Sequence, residues 1–181
     1  YKHRVEEYKN NKVIQDSVDT IFSTVEFNSG AIASVIISDA IPNLSVNESW
    51  IYGSKLSLLR TKSRSGLPIK LVKEGIEITG EKVLEEFSGF KLDYWTQNIF
   101  GDFIDGGYSY DFSEYDRKII ALEYLDFIKS KLSQEQPEVG IIEGINSLSL
   151  AYAFIESGYL SKKIIFEEFI NSNDLNYFSS N

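Results

Sequence analysis

Residues 20–38 have the sequence TIFSTVEFNSGAIASVIIS, and this stretch decides the fold class of the chain. β-branched and aromatic residues are dense over residues 20–27 and again over residues 31–38, which is typical of β-strands. Between the two segments, Asn28-Ser29-Gly30 contains residues that tolerate the positive φ angles of a tight reversal. The stretch therefore predicts an antiparallel β-hairpin.

Further strands are predicted along the first half of the chain. Glu74-Gly75 separates two apolar segments, residues 69–73 and 76–79, and indicates a second hairpin. The other predicted strands are residues 48–52, residues 56–60 after the break at Gly53, and residues 82–87 at an edge of the sheet. We therefore expect the first half to be mainly antiparallel sheet.

The second half changes to a helical period. Apolar residues recur at helical spacing in a series that consists of Ile119, Ile120, Leu122, Leu125, Ile128 and Leu132. Ser113 precedes this series and has Asp116 three residues on, an acidic variant of the capping box. The pattern predicts a helix over residues 114–132 that ends before Pro137.

A second helix is predicted to begin near Glu143, in the stretch EGINSLSLAYAFIESG. The spacing of its apolar residues places one stripe in the core, which consists of Ile145, Leu148, Tyr152 and Ile155. Gly158 is predicted to end the helix in the left-handed conformation. For residues 161–170 the periodicity fits a strand or a helix equally well.

Strands first and helices afterwards, without regular alternation, predict an α+β fold with an open, mainly antiparallel sheet and helices packed on one face. We expect residues 1–181 to form one domain. A sheet with apolar side chains on both faces must bury both. The face without helices is therefore expected to contact another domain or subunit, and we predict a homo-oligomer, a dimer or tetramer, through the sheet.

Composition excludes several classes of protein. A formal net charge of −9 and a pI near 4.7 oppose binding to nucleic acid or to anionic membranes. No apolar run is long enough to span a membrane, and no signal peptide is visible. The chain contains no cysteine, which fits a cytoplasmic protein. It also contains no methionine, and we expect it to be part of a longer protein.

The segment from residue 90 to residue 115 combines many aromatic residues with several aspartates. Sugars stack their C–H surfaces on aromatic rings and donate hydroxyl hydrogen bonds to carboxylates, so this composition suits a sugar site. The candidate substrate contacts are Tyr94, Trp95, Tyr108 and Tyr110. The alternative is that the rings fill the space between sheet and helix while the aspartates cap turns. Asp102 and Asp105 are spaced as a paired acid and base could be, but loop carboxylates at this spacing are commonplace.

No residue of the chain is predicted to bind a cofactor or a metal. Neither of the glycine-rich phosphate-binding motifs occurs, so we expect no dinucleotide site in this chain. His3 is the only histidine, and without cysteines or further histidines a transition-metal site is not expected.

A local excess of basic residues interrupts this acidic chain. Residues 49–73 contain no acid and include Lys55, Arg60, Lys62, Arg64, Lys70 and Lys73. This run could attract an anionic ligand such as a sugar nucleotide, or it could be the solvated side of a hairpin.

The order of these parts resembles a known family. The hairpin TVEFNSGAIASVIIS, the segment NESWIYGSKLSLLR, a long helix containing YLDFIKSKLSQEQPEV and the segment EGINSLSLAYAFIESG together resemble the C-terminal domain of the Gfo/Idh/MocA oxidoreductases, the glucose-fructose oxidoreductase and inositol dehydrogenase family. The likeness covers roughly residues 16–165.

The resemblance implies a function and a division of labour. In that family an N-terminal Rossmann domain binds NAD or NADP, and hydride passes between the nicotinamide and a sugar or sugar-nucleotide carbon. The family's Glu-Lys-Pro lysine and Asp-x-x-x-His pair have no counterpart here, so no catalytic residue is carried over. This chain is then expected to be the substrate-side and oligomerisation domain of an NAD(P)-dependent oxidoreductase. The alternatives are a freestanding module that binds carbohydrates or anionic metabolites and a structural assembly protein.

Overall fold

The computed structural model describes the backbone of residues 4–8 and 11–15, and it describes residues 18–40, 46–60, 62, 65–101, 107–172 and 176 in full. In these parts the strands are β1 Arg4–Tyr8, β2 Asn11–Gln15, β3 Thr20–Glu26, β4 Ile32–Ser38, β5 Ser49–Tyr52, β6 Ser57–Arg60, β7 Lys70–Lys73 and β8 Ile76–Ile78. The helices are α1 Lys82–Glu86, α2 Tyr94–Phe100, α3 Phe112–Ser133, α4 Ile141–Leu160 and α5 Phe166–Asn171. All described strand pairs are antiparallel, and the predicted α+β class is confirmed.

The chain divides into two compact units. The first consists of Tyr1–Leu44 and Val139–Asn181 and contains the hairpins β1–β2 and β3–β4 with helices α4 and α5. The second, Ser45–Glu138, contains the four-stranded sheet β5-β6-β7-β8 and helices α1 to α3.

The predicted hairpin is present as β3–β4 in the first unit. Gly30 has a φ of 85°, so the reversal uses the left-handed conformation that glycine adopts without steric cost. The side chains alternate between two faces. One face is half-buried, and α4 lies against β3. The other face carries Phe22 directly opposite Ile36, and both are exposed, so this face is uncovered within the unit.

The second predicted hairpin is also present. Glu74 and Gly75 both have positive φ, as a two-residue turn of the I′ type requires, and they join β7 to β8. Across the sheet, Leu58, Leu71 and Ile78 lie directly opposite one another and form a continuous apolar row. Leu71, at the centre of this row, is the most deeply buried apolar residue among those described.

The prediction of an edge strand over residues 82–87 is wrong, because this segment forms helix α1. Gly80, with a φ of 66°, turns the chain after β8, and the amide of Val83 then donates to the Gly80 carbonyl oxygen. Val83 is buried and Leu84 is half-buried, while the other three residues of the helix face solvent. A run so short has no clear periodicity, so the sequence pattern alone does not distinguish a strand from a helix here.

The long helix is confirmed, but its predicted N-cap is wrong. Helix α3 begins two residues before the predicted start, and its N-cap is Asp111, whose carboxylate accepts a hydrogen bond from the Glu114 amide at 2.8 Å. Ser113 lies inside the first turn. A carboxylate is favoured at this place because it satisfies a free amide and interacts well with the positive end of the helix dipole.

The predicted end of α4 is also wrong. The helix continues past Gly158 to Leu160, and Ser161 takes the left-handed conformation with a φ of 51°. Lys162 then donates its amide to the Ser157 carbonyl oxygen, which is the closing bond of a Schellman motif. Leu160, in the part of the helix beyond Gly158, is half-buried.

The predicted buried stripe of α4 is correct only in its second half. Tyr152 and Ile155 are half-buried, but Ile145 and Leu148 are exposed. The deeply buried residues of α4 are Ala153 and Glu156. Residues 161–170 fitted a strand or a helix equally well in the sequence, and residues 166–170 of this segment belong to helix α5, which ends at Asn171.

Replacing Gly158 by alanine tests the corrected helix end. A Cβ at this position meets no atom within 4 Å, and the residue lies inside the helix without a positive φ. We therefore expect Gly158→Ala to raise the stability of the first unit by about 0.5–1 kcal/mol, measured as helical ellipticity during urea unfolding. Gly30→Ala, in the same unit, serves as the opposite control, since the φ of 85° at Gly30 makes alanine destabilising. Destabilisation by Gly158→Ala would contradict the assignment.

Candidate functional site

The candidate site lies in the second unit, around helix α2 and the face of α3 that packs on it. The sequence predicted four aromatic substrate contacts here, and the structure places them as two pairs at opposite ends of α2. Seven helical residues separate the two ends by about 10 Å. The pairs therefore have different surroundings.

The start of α2 is held by Asp93. Its carboxylate accepts hydrogen bonds from the amides of Trp95 at 2.9 Å and Thr96 at 3.1 Å, and also from the Thr96 hydroxyl. This is the preferred N-cap arrangement, because two amides without helical partners are satisfied by one side chain. The hydrogen bonds from Thr96, with a smaller contribution from the positive charge of Lys129, hold the pKa of Asp93 below its ordinary value.

Tyr94 and Trp95 form an exposed aromatic corner in the first turn of α2. Their rings meet edge to face, with centroids 5.2 Å apart and planes at 78°. The ammonium group of Lys129, from α3, lies 4.8 Å from the centroid of the Trp95 ring, within the range of a cation–π contact. Both aromatic residues keep substantial ring surface open to solvent.

The end of α2 is a closed aromatic cluster around Phe100. This ring is buried and lies against three tyrosine rings, with centroids at 5.0 Å for Tyr108, 6.2 Å for Tyr110 and 5.4 Å for Tyr115. The rings of Tyr108 and Tyr110 stack on each other, with centroids 5.8 Å apart.

Polar side chains satisfy the last carbonyl groups of α2. Tyr110 donates its hydroxyl to the Phe100 carbonyl oxygen, and Lys118 donates to that of Ile99 at 2.6 Å. The hydroxyl of Tyr108 lies 3.4 Å from the Gly101 carbonyl oxygen. Because the final carbonyls of a helix have no partner within the helix, these side chains act as its C-terminal cap. Lys118 also complements the negative end of the helix dipole.

Tyr108 is positioned by a close approach of two backbone segments. Its amide donates to the Gly66 carbonyl oxygen at 2.7 Å. A Cβ on Gly107 would lie 2.7 Å from the same oxygen and 2.9 Å from Pro68, so only glycine fits there. The loop before β7 thus fixes the tyrosine against Phe100.

The predicted substrate contacts therefore differ in what they offer a ligand. Tyr108 and Tyr110 have half-buried rings and direct their hydroxyls to backbone oxygens, whereas Tyr94 and Trp95 present open ring surface. Substrate binding by any of the four stays a prediction. Asp102 and Asp105, like His3, lie outside the described residues.

Sequence reasoning missed the two lysines of this site. Lys118 and Lys129 lie eleven residues apart in α3, which is just over three helical turns, so both lie on the face toward α2. Their spacing was visible in the sequence. Their aromatic partners could not be inferred, because α2 was not predicted as a helix.

The basic run of residues 49–73 is partly neutralised. Lys70 forms an ion pair with Glu77 at 3.1 Å, and Lys73 forms one with Glu86 at 2.6 Å. The hydrogen bond and charge of Glu86 raise the pKa of Lys73 above its ordinary value. Lys55 is exposed at the turn between β5 and β6. Arg64 lies outside the described residues.

Neither a metal-binding cluster nor a membrane-spanning helix is found in the described part of the chain. No cluster of three or more histidine, cysteine or acidic side chains could hold a metal ion among those residues. Within the same ranges, no helix combines the length and apolar character needed to cross a membrane.

Comparison with known proteins found no match: no protein-family model, no curated protein and no solved structure is significantly similar to this chain.

The low pKa of Asp93 gives a testable dependence on Thr96. Thr96→Val removes the hydroxyl donor, and we expect the pKa of Asp93 to rise toward its ordinary value, measured by NMR titration of the carboxyl carbon. Because the pKa is lowered in the folded state, the ionised carboxylate stabilises the fold above the ordinary carboxyl pKa, and this is lost as the pH falls through the folded pKa. Thr79→Val is the control and is expected to leave the pKa of Asp93 unchanged. If the pKa of Asp93 were also unchanged in Thr96→Val, the Thr96 hydroxyl would not be the cause of its low value.

Proposed function

We propose that this chain is the substrate-side and subunit-contact part of an NAD(P)-dependent oxidoreductase that acts on a sugar, a sugar nucleotide or a related polyol. The observation that carries the proposal is the arrangement at the start of α2, where the open rings of Tyr94 and Trp95 lie beside the ionised Asp93 and the ammonium group of Lys129. The resemblance described above supports it. The uncovered face of the β3–β4 hairpin, with Phe22 opposite Ile36, supports the subunit contact.

The cluster has the groups that sugar recognition requires. Aromatic rings stack on the C–H faces of a pyranose or polyol, and a carboxylate accepts hydrogen bonds from hydroxyls. The Asp93 carboxylate already accepts three hydrogen bonds in capping α2. A carboxylate has about four acceptor positions, so Asp93 can still accept a hydrogen bond from a sugar hydroxyl. Lys129 adds a positive charge that suits the phosphate of a sugar nucleotide.

The role of this chain in the reaction is positioning. Hydride transfer requires the reacting carbon to be held against the cofactor, and such orientation alone contributes greatly to rate. Every described strand pair is antiparallel, so none belongs to the parallel strand–helix–strand unit that holds a dinucleotide. The proposal therefore assigns NAD or NADP, and the proton acceptor, to an N-terminal Rossmann domain outside this chain. It also places the enzyme in the cytoplasm as a homo-oligomer without nucleic-acid partners.

Removing the two exposed rings from the full-length enzyme tests the proposal. We expect Tyr94→Ala/Trp95→Ala to lower kcat/KM for the sugar by about tenfold to a hundredfold, because stacking holds the substrate in both ground and transition states. The affinity for NAD(P), measured by fluorescence titration, is expected to stay unchanged. Tyr124→Ala, which removes an exposed tyrosine of α3, is the matched control. Unchanged sugar kinetics in the double variant would sink the proposal.

A further inference from the structure

Strand β5, at one edge of the four-stranded sheet, is exposed on both faces. All four of its residues, Ser49–Tyr52, are accessible to solvent, although three of them are large and apolar. Trp50 and Tyr52 lie on one face with parallel rings, whose centroids are 5.7 Å apart and whose planes differ by 1°. Ile51 lies on the other face and is 64% exposed. An edge strand of this kind is a ready template for pairing with another strand.

The opposite edge of the same sheet is protected. Strand β8 is only three residues long, and its central residue, Glu77, forms an ion pair with Lys70 of the neighbouring strand. Short length and charge are the usual means of preventing strand pairing at an edge. β5 has neither a charged residue nor a proline within its bounds. Of the two edges of this sheet, only β5 is suited to accept a partner.

The backbone geometry shows which groups of β5 point outward. The amide of Gly53 donates to the Leu56 carbonyl oxygen at 3.0 Å, so these residues form the hydrogen-bonded pair that closes the two-residue turn. Hydrogen-bonded pairs alternate along an antiparallel ladder. Ile51 therefore bonds to β6, while the N–H and C=O groups of Trp50 and Tyr52 point away from the sheet.

We propose that β5 pairs in antiparallel register with β5 of a second copy of this chain, about a two-fold axis at Ile51. The two outward-pointing residues are Trp50 and Tyr52, so each Trp50 lies opposite a Tyr52 of the second copy and exchanges two hydrogen bonds with it. The two Ile51 residues form the pair at the axis. This register uses every outward-pointing group of Trp50 and Tyr52, and its contacts are reciprocal, as in an isologous interface.

Charge complementarity supports a second copy as the partner. In this register the start of β5, which carries Glu48, lies beside the turn of the second copy that carries Lys55. The symmetry repeats this acid–base pair on the other side of the axis. In this register the four aromatic rings lie on one face of the paired strands, where each Trp50 ring is a cross-strand neighbour of a Tyr52 ring of the other copy. This inference does not rest on the proposed oxidoreductase function and concerns an edge rather than the hairpin face.

Single cysteine variants test the register directly, because the natural chain contains no cysteine. In Ile51→Cys the two Cα atoms face each other across the axis as a pair without backbone hydrogen bonds, about 4.5 Å apart, which lies within the range that a disulfide spans. Mild oxidation of the full chain is expected to give a disulfide-linked dimer as the major product. In Ser49→Cys the two thiols are about 13 Å apart along the strand, so a linked dimer is expected only as a minor product.

An equilibrium measurement accompanies the cross-linking. Ile51→Glu places two like charges at the axis, and we expect its dimer dissociation constant to rise at least about tenfold in sedimentation experiments. Ile76→Glu, on the protected edge with a similar exposure of 66%, is the matched control and is expected to leave the constant unchanged.

Two outcomes would overturn the inference. One is equal cross-linking of Ile51→Cys and Ser49→Cys, and the other is a dimer that Ile51→Glu does not weaken. A dimer that is lost instead on Phe22→Glu would place the contact on the hairpin face and leave the proposed function intact. Unchanged sugar kinetics in Tyr94→Ala/Trp95→Ala, together with the expected cross-linking of Ile51→Cys, would refute the proposed function and leave the β5 contact intact.

Discussion

Replacing Phe100 by alanine is expected to lower the free energy of unfolding of the second unit by about 3–5 kcal/mol, the usual range for a buried phenylalanine. Phe100 is 5% exposed and its ring contacts three tyrosine rings. Its removal leaves a cavity that these rings cannot fill, because Tyr110 and Tyr108 are held by backbone hydrogen bonds. Both tryptophans of the chain lie in the second unit, so tryptophan fluorescence during denaturant unfolding measures the loss.

Phe112→Ala is the matched control for this prediction. Phe112 begins helix α3 and is 59% exposed, so its truncation removes little buried surface. We expect a change of less than about 1 kcal/mol. If Phe100→Ala cost no more than Phe112→Ala, the aromatic cluster would not be the core of this end of the unit.

Leu71→Ala is expected to lower the stability of the same unit by about 2–5 kcal/mol. Leu71 is 1% exposed and lies between Leu58 and Ile78 in the apolar row across the sheet. The neighbours are fixed by strand pairing, so the sheet closes the cavity only partly. The denaturant midpoint from tryptophan fluorescence measures the effect.

The control for Leu71 is another leucine of the same unit. Leu67 lies in the loop before β7 and is exposed, so Leu67→Ala is expected to change the stability by less than about 1 kcal/mol. Equal effects of the two substitutions would mean that the row is not a packed core.

Both hairpin turns could be predicted from the sequence, because a tight turn is decided by the conformations its own residues tolerate. Asn28-Ser29-Gly30 and Glu74-Gly75 need positive φ, and the structure has it at Gly30 and Gly75. The long helix α3 was likewise predictable, since its apolar period extends over many residues.

The helix ends and the short helices were not predictable in the same way. Ser161 and Gln134 adopt the left-handed conformation although neither is glycine, and Gly158 does not adopt it. The residue at which a helix ends depends on the tertiary packing of its last turn, and intrinsic helix propensity predicts that residue poorly. Helix α1 is only five residues long, and the burial of its Val83 depends on tertiary packing that the sequence pattern does not show.

The candidate site was also predictable from the sequence in part and decided by the tertiary structure in part. The sequence alone determined that aromatic rings and carboxylates are concentrated between residues 90 and 115, and the α+β class followed from local patterns of turns and periods. Only the tertiary structure separated the rings into an open pair, Tyr94 and Trp95, and a closed pair whose hydroxyls cap α2. The physical reason is that exposure and hydrogen-bond partners depend on groups distant in sequence, here the lysines of α3 and the backbone around Gly66.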